Sequence, residues 1–230
     1  MIQKNILETK EKIRQACKRS GRAEEEVTLI AVSKTKPLFM IKEAYEAGML
    51  QFGENKPQEM RDKAKEFTAS VNWHMIGTLQ TNKIKYVVGT ACMIHSVDSI
   101  SLAYAIDKEA TKKELVMDVL LEVNVAEEES KHGFSVNEIF PAVQELASLS
   151  HIRLRGLMTV APYTENAEEN RIYFRKMKEI LVDINAKNID NVCMDSLSMG
   201  MSSDYEVAIE EGATMVRVGT GIFGERNYSL

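Results

Sequence analysis

Eight short apolar segments alternate with longer, charged segments along the chain, and this alternation limits the possible folds more than any other feature. The apolar segments are VTLIAVSK (27–34), LQFGEN (50–55), NWHMIG (72–77), CMIHSV (92–97), LVMDVLLEVNV (115–125), IRLRGLMTV (152–160), VCMDSLSMG (192–200) and TMVRVGT (214–220). Most are β-branched or apolar throughout, which is typical of parallel strands buried on both faces. Eight strand–helix units in 230 residues predict an α/β fold, a single (β/α)8 TIM-type barrel that spans residues 1–230. A doubly wound open sheet is the alternative, but no GxGxxG motif follows the first strand.

Two of the charged segments carry recognisable helix boundaries. Residues 38–48 form one amphipathic segment, and residues 202–212 form another. In the second, Ser202 or Ser203 is the expected N-cap and Gly212 the expected end, because hydroxyls cap helix N-termini and glycine favours the residue after the C-terminus. These segments supply the helices between strands.

Charge and residue usage exclude several classes of protein. With 29 Lys and Arg against 34 Asp and Glu, the net charge is −5, so the chain lacks the basic surface that nucleic-acid binding draws on. The three cysteines form no CxxC pair and the four histidines no HExxH motif, so neither a disulfide framework nor a metal site is expected.

The first residues predict an amphipathic helix with Ile2, Ile6 and Ile13 on one face, not a signal peptide, and no segment is apolar enough to span a membrane. We therefore expect a cytoplasmic protein, and a monomer because no apolar stripe is left unused.

Polar residues collect where the predicted strands end, which is the face that carries the chemistry of such barrels. They are Ser33, Lys34, Thr35 and Lys36 after the first strand, Glu54 and Asn55 after the second, His74 and Gly77 in the third, Asn124 after the fifth, Ser198 and Gly200 in the seventh, and Arg217, Gly219 and Thr220 in the eighth. Together they predict a polar pocket at one end of an apolar barrel.

The turns after the last two strands, SMGMSSD and VGTG, have the composition of a phosphate site. Glycines let backbone N–H groups approach an anion, and hydroxyls add donors. Ordinary turn and cap chemistry would use the same residues, but two such turns on adjacent strands favour a phosphate.

A lysine at a strand end suggests chemistry on a carbonyl group. Partial burial lowers the pKa of an amine, and a neutral amine can form a Schiff base. Lys34 and Lys36 share one face of the strand, and Lys34 is preferred because it is expected to continue the strand, whereas Lys36 adjoins Pro37 in an expected exposed turn. A lysine facing a phosphate site suggests a carbonyl ligand that carries a phosphate.

Arg217 and His74 have open roles on pattern alone. Arg217 lies in the middle of an apolar strand, where a guanidinium must be paired. It either contacts a ligand or pairs with an acid such as Glu54 or Asp195. His74 fits a hydrogen-bonded wall residue better than a catalytic base.

Six motifs in order resemble one family nearly from end to end. They are AVSKTKP (31–37), FGENKPQE (52–59), WHMIGTLQTNK (73–83), RGLM (155–158), LSMGMSSD (197–204) and VRVGTGIFGER (216–226). The sequence resembles the pyridoxal-phosphate homeostasis proteins, also called the YggS or PROSC family, which look like an isolated alanine-racemase barrel. The resemblance implies pyridoxal 5′-phosphate (PLP) bound as a Schiff base on Lys34, with Arg217 facing the pyridine nitrogen. It also implies Ser198, Gly200, Gly219 and Thr220 around the phosphate, and Asn55 and His74 close to the ring.

Three functions follow from these residues. The preferred one is a PLP carrier or regulator without turnover, with apo-PLP enzymes as conceivable partners. The second is an amino-acid racemase, but racemisation needs a base on each face of the substrate and Lys34 supplies only one. In the racemases that this barrel resembles, a tyrosine from a separate β domain supplies the other. The third is a class I aldolase-like enzyme acting on a sugar phosphate, for which Asp195 or Glu54 would be the acid.

Overall fold

The computed structural model of the chain describes residues 1–128, 132–190 and 192–225. Eight parallel strands pair in sequence order, and the last pairs with the first to close a barrel. The strands are β1 (Thr28–Val32), β2 (Gln51–Glu54), β3 (Asn72–Met75), β4 (Met93–Val97), β5 (Met117–Glu122), β6 (Ile152–Met158), β7 (Ser196–Met201) and β8 (Met215–Val218). Each lies within or overlaps one of the eight apolar segments, so the predicted (β/α)8 TIM-type barrel is confirmed.

Helices surround the barrel and connect its strands, except that a 3-10 helix (Thr81–Tyr86) follows β3. They are α1 (Ile2–Ser20), α2 (Leu38–Glu46), α3 (Pro57–Glu66), α4 (Ile100–Lys112), α5 (Val136–Leu146), α6 (Arg171–Ala186), α7 (Tyr205–Glu210) and α8 (Thr220–Phe223). As predicted, α1 is amphipathic and buries Ile2, Ile6 and Ile13. Among the described residues, no helix has the length and apolar character needed to cross a membrane.

Strand side chains alternate between two different environments. Those that face outward, such as Phe52 and Leu197, belong to the large apolar layer between strands and helices. Inside the barrel, Met93, Leu120 and Met158 form a separate small cluster. Other buried positions on the strands are polar, among them His74, His95, Ser198 and Arg217. The barrel interior is therefore only partly the apolar packing that this fold commonly shows.

The expected N-cap of α7 is wrong by one or two residues. The helix follows Asp204, not Ser202 or Ser203. The Asp204 carboxylate accepts hydrogen bonds from the N–H of Met201 and the amide of Asn170, so it fixes a longer turn after β7. This leaves Ser202 available for the neighbouring turn after β8.

Candidate functional site

Lys34 lies in a turn directly after β1. The strand ends at Val32, so the prediction that Lys34 continues it is wrong. The side chain of Lys34 is half-buried. Thr35 adopts a φ of 62°, a left-handed conformation that a β-branched residue rarely takes. The N–H of Thr35 donates to Oε1 of Glu59 at 2.6 Å. Backbone strain of this kind persists where surrounding contacts hold it.

An ion-pair cluster between α3 and the end of β2 anchors this turn. Nζ of Lys63 donates at 2.7 Å to Glu54, to Glu59 and to the Ser33 carbonyl. The hydroxyl of Ser33 donates to Oε1 of Glu54 at 2.6 Å. Burial raises the pKa of Glu54, although Lys63 opposes the shift. Both neighbours of Lys34 are thus held from β2 and α3.

Lys36 is not in the exposed turn that the sequence suggested. Its Nζ donates to the carbonyls of Phe223, Gly224 and Glu225 at 3.4, 3.0 and 3.2 Å, respectively. It therefore satisfies backbone acceptors at the end of α8, where no helical partner is available. The structure thus gives the two lysines different surroundings.

The turns after β7 (201–204) and β8 (219–221), together called the Ser202 turn, meet through Ser202. Its Oγ accepts hydrogen bonds from the N–H groups of Gly219 at 3.2 Å and Gly221 at 3.4 Å. Gly219 is half-buried and Thr220 is exposed. A cluster of backbone N–H groups beside hydroxyls is a concavity that suits an anion.

Gly200 brings β7 against α7. Its φ is 89°, and a Cβ at this position would lie 2.6 Å from Cβ of Ala208 and 2.8 Å from Cα of Tyr205. The glycine therefore sets the path of the chain into the Ser202 turn.

Arg217 is buried inside the barrel. Its Nη1 donates to Oγ of Ser198 at 2.6 Å and its Nη2 to the Thr159 carbonyl at 2.8 Å. It pairs with neither Glu54 nor Asp195, the two acids that the sequence left open. Ser198 is fully buried with it, so the structure places the Ser198 hydroxyl at the guanidinium and not in the turn that follows β7.

His74 also lies inside the barrel, and both of its ring nitrogens have partners. Nδ1 lies 2.9 Å from Nε2 of His95, and Nε2 lies 2.9 Å from Oε1 of Gln51. Burial lowers the pKa of His74 to about 4. His74 is a hydrogen-bonded wall residue, with His95 between it and Ser198.

Asn55 follows β2 and is half-buried. Gly77 follows β3 beside it, where a Cβ would lie 2.6 Å from Cα of Asn55. The two strand ends therefore approach closely, and glycine is the residue that permits it.

Comparison with known proteins identifies the family. Residues 8–227 match the family model described as alanine racemase, N-terminal domain. The pyridoxal phosphate homeostasis protein of Aquifex aeolicus is 46% identical over 219 residues, which is 95% of each chain. That of Escherichia coli K12 is 39% identical over 233 residues, covering 99% of this chain and 98% of the other. The chain belongs to the pyridoxal phosphate homeostasis protein family.

Solved structures agree with this assignment. PipY of Synechococcus elongatus, a structure with PLP bound, superposes with a TM-score of 0.85 at 34% identity and covers 97% of this chain and 100% of that one. An alanine racemase of Clostridium difficile superposes with a TM-score of 0.74 at 14% identity. The second likeness shows that the barrel is of the alanine-racemase type. This chain spans 57% of the length of that racemase.

In this family member, the two acids named for an aldolase are both paired: Glu54, at the end of β2, with Lys63 and Ser33, and Asp195 with Arg155. Asp195 precedes β7, at the opposite end of the barrel, and pairs with Arg155. There Arg153 and Arg155 help to line an open cavity of about 890 Å³, and Asp118 pairs with both of them. The charges of that cavity are largely neutralised within the protein.

Sequence reasoning missed three residues around the site. Ser202 was assigned to a helix cap. His95 shares the strand face of Met93, and this period-two spacing could have indicated that it points inward. Glu122 ends β5, and its pKa is raised by burial and by Asp98, while Arg217 opposes the shift. A carboxylate at the end of an apolar strand is the sequence signal that could have identified Glu122.

The residues present fit a phosphorylated aldehyde. The N–H groups of Gly219 and Gly221, which here donate to Oγ of Ser202, and the Ser202 hydroxyl itself are donors that a phosphate would accept from, and Arg217 supplies a buried cation. A Cβ at Gly221 would lie 2.8 Å from Cγ1 of Val218, so glycine lets the start of α8 pack closely against β8. Among the residues that the structure describes, no three His, Cys, Asp or Glu side chains are arranged to hold a metal ion.

Proposed function

We propose that this chain is a PLP-binding protein of PLP homeostasis, which holds the cofactor as a Schiff base on Nζ of Lys34 without a catalytic turnover of its own. The arrangement at the carboxyl ends of the strands carries this proposal. An anchored lysine turn follows β1, and the Ser202 turn lies between the ends of the neighbouring strands β7 and β8. The names of the relatives and the PLP-bound PipY structure support the choice of ligand.

Lys34 would form the covalent link. PLP supplies an aldehyde that condenses with amines and a ring that withdraws electrons. When PLP is bound, Nζ of Lys34 would be the amine that condenses with this aldehyde, with loss of water. The contacts of Ser33 and Thr35 orient the turn that presents this amine.

Arg217 supports the absence of turnover. The family resemblance implies that this buried cation faces the pyridine nitrogen, and a guanidinium does not give up its proton to a ring nitrogen. The ring therefore stays a weaker electron sink than it would beside a carboxylic acid. Chemistry that depends on strong delocalisation of a carbanion is disfavoured.

A comparison of two lysine variants tests the attachment site. Lys34→Ala should lose the adduct that borohydride reduction makes permanent, yet retain weaker binding through the Ser202 turn. Lys36→Ala, the matched control, should keep the adduct. Loss of the adduct in Lys36→Ala alone would overturn the assignment.

A turnover assay tests the second half of the proposal. PLP-loaded protein should not interconvert L- and D-amino acids above the rate of free PLP. Racemisation that Lys34→Ala abolishes would establish the racemase alternative instead.

A further inference from the structure

A continuous line of hydrogen bonds runs through the barrel interior from Arg217 toward the amino end of β2. Nη1 of Arg217 contacts Ser198, whose Oγ lies 2.9 Å from Nδ1 of His95. Nε2 of His95 lies 2.9 Å from Nδ1 of His74, and Nε2 of His74 lies 2.9 Å from Gln51. We call these five residues the interior chain.

Counting hydrogens gives the interior chain a direction. Arg217 can only donate, so Oγ of Ser198 accepts from it. The single hydroxyl hydrogen of Ser198 is then free to donate to Nδ1 of His95. His95 consequently carries its hydrogen on Nε2 and donates to His74. His74 in turn carries its hydrogen on Nε2 and donates to Oε1 of Gln51.

The reverse direction satisfies fewer groups. If His95 donated to Ser198, the hydroxyl would accept from both neighbours and its own hydrogen would lack an acceptor. Ser198 is fully buried, and a buried donor without a partner is costly. In the reverse order Nε2 of His74 would be an acceptor that faces the carbonyl oxygen of Gln51, with the Cys92 thiol, a weak donor, at 3.5 Å.

The interior chain fixes Arg217 through uncharged groups, while the carboxylates of Glu122 and Asp204 act on its charge from a greater distance and make no hydrogen bond to it. The two histidines of the interior chain are buried, with 4% and 0% of their surface exposed, and burial lowers the pKa of both rings, which favours their neutral form. In the part of the chain that the structure describes, the hydrogen-bond acceptors of Arg217 are a hydroxyl and a carbonyl. A carboxylate at either place would fix the guanidinium equally well but would cancel its charge.

We propose that Ser198 and His95 are positioning residues that orient Arg217 toward the bound cofactor while preserving its positive charge. This inference rests on the proposed function. His74 and Gln51 complete the interior chain and fix the tautomer of His95. A ligand that accepts a hydrogen bond from Arg217 polarises the guanidinium, and neighbouring hydrogen bonds polarise one another. Binding at Arg217 should therefore be felt at His95, although His95 contacts the ligand only through two intervening groups.

The first test uses the protein without PLP. The chain has four histidines, so ¹⁵N-labelled imidazoles can be assigned by single substitution. At neutral pH, His74 and His95 should both appear as neutral rings with the hydrogen on Nε2. A ring of either residue with its hydrogen on Nδ1, or a charged ring, would overturn the direction of the interior chain.

The second test adds PLP and follows the same signals. The Nδ1 signal of His95 should move on binding in the wild type, and this shift should disappear in Ser198→Ala. Ser198→Ala should also weaken PLP binding by about tenfold, the effect of one hydrogen bond to a charged group. Ser198→Thr, which keeps a hydroxyl, should restore part of the shift.

Ser196→Ala is the matched control. Ser196 lies on the same strand and donates to Asp195 at the opposite end of the barrel, so its removal should leave both the shift and the affinity unchanged. A His95 signal that stays fixed while borohydride shows PLP on Lys34 would overturn the positioning role alone. Failure of PLP to bind at all would overturn the proposed function, and the tautomers measured without PLP would still decide the direction of the interior chain.

Discussion

At the scale of single residues, buried imidazoles make stability depend on pH. The folded pKa of His74, about 4, is depressed from 6.5 by burial. Below pH 6.5, His74 binds a proton in the unfolded chain but not in the folded chain. The free energy of unfolding therefore decreases as the pH falls toward 4. His95 acts in the same direction.

His74→Gln should therefore flatten the acid side of the stability profile. Between pH 7 and pH 5, the variant should lose about 2 kcal/mol less unfolding free energy than the wild type. The raised pKa values of Glu54 and Glu122 act oppositely but are common to both proteins. Urea unfolding at a series of pH values measures the difference, with His132→Gln at an exposed site as the control. Parallel profiles for wild type and His74→Gln would contradict a neutral buried ring.

Residue types at strand ends could be predicted from the sequence, whereas their partners could not. The positions of Lys34 and Arg217 relative to the predicted strands indicate at which end of the barrel each residue lies. Contacts between Ser198, His95 and Arg217 join three different strands, β7, β4 and β8, across the barrel. Such contacts depend on register between strands, and no local pattern carries that information.

At the scale of elements, Gly200 controls the junction of β7 and α7. Gly200→Ala should destabilise the protein by about 2–4 kcal/mol, because a Cβ would overlap backbone and side chain of α7 and the φ of 89° disfavours any L side chain. Gly21→Ala is the control, with a φ of 68° and nothing within 4 Å, and should cost about 1–2 kcal/mol. If urea unfolding gave the same loss of unfolding free energy for both variants, the close approach at Gly200 would not contribute to stability.

The lysine turn depends on α3 through Lys63. Lys63→Met should destabilise the protein by about 3 kcal/mol, since Glu54 would remain buried without its cation. Adding Glu54→Gln should recover part of this loss, because the uncompensated carboxylate is then gone. A double-mutant cycle in urea measures the coupling. Strictly additive losses would contradict a direct interaction.

At the scale of the whole molecule, a network of arginines and glutamates joins helices that are distant in sequence. Arg19 on α1 pairs with Glu206 and Glu210 on α7. Arg171 on α6 pairs with Glu210 and with Glu211, the residue after α7. The network holds α7, which follows the Ser202 turn, from both sides.

Arg171→Gln should lower the unfolding free energy by about 1 kcal/mol at low ionic strength, and by less in high salt, because partly exposed pairs are screened. Arg14→Gln, whose pair with Glu11 lies on the exposed side of α1, should change stability little. A loss in Arg171→Gln that salt leaves untouched would indicate packing, not charge.

The barrel itself was within reach of the sequence because each strand–helix unit repeats one local pattern. The boundary of α7 was not, since Asp204 draws the turn back toward Met201 and Asn170. Exceptions of this kind depend on tertiary contacts that compete with local capping preferences.

The most direct test of the account is to locate the PLP adduct by mass. PLP is added to the wild-type protein, borohydride reduces the complex, and the digested peptides are weighed. The account predicts a yellow complex and a single stable adduct on the peptide segment at Lys34. A protein that stays colourless with PLP, or an adduct on another lysine, would contradict it.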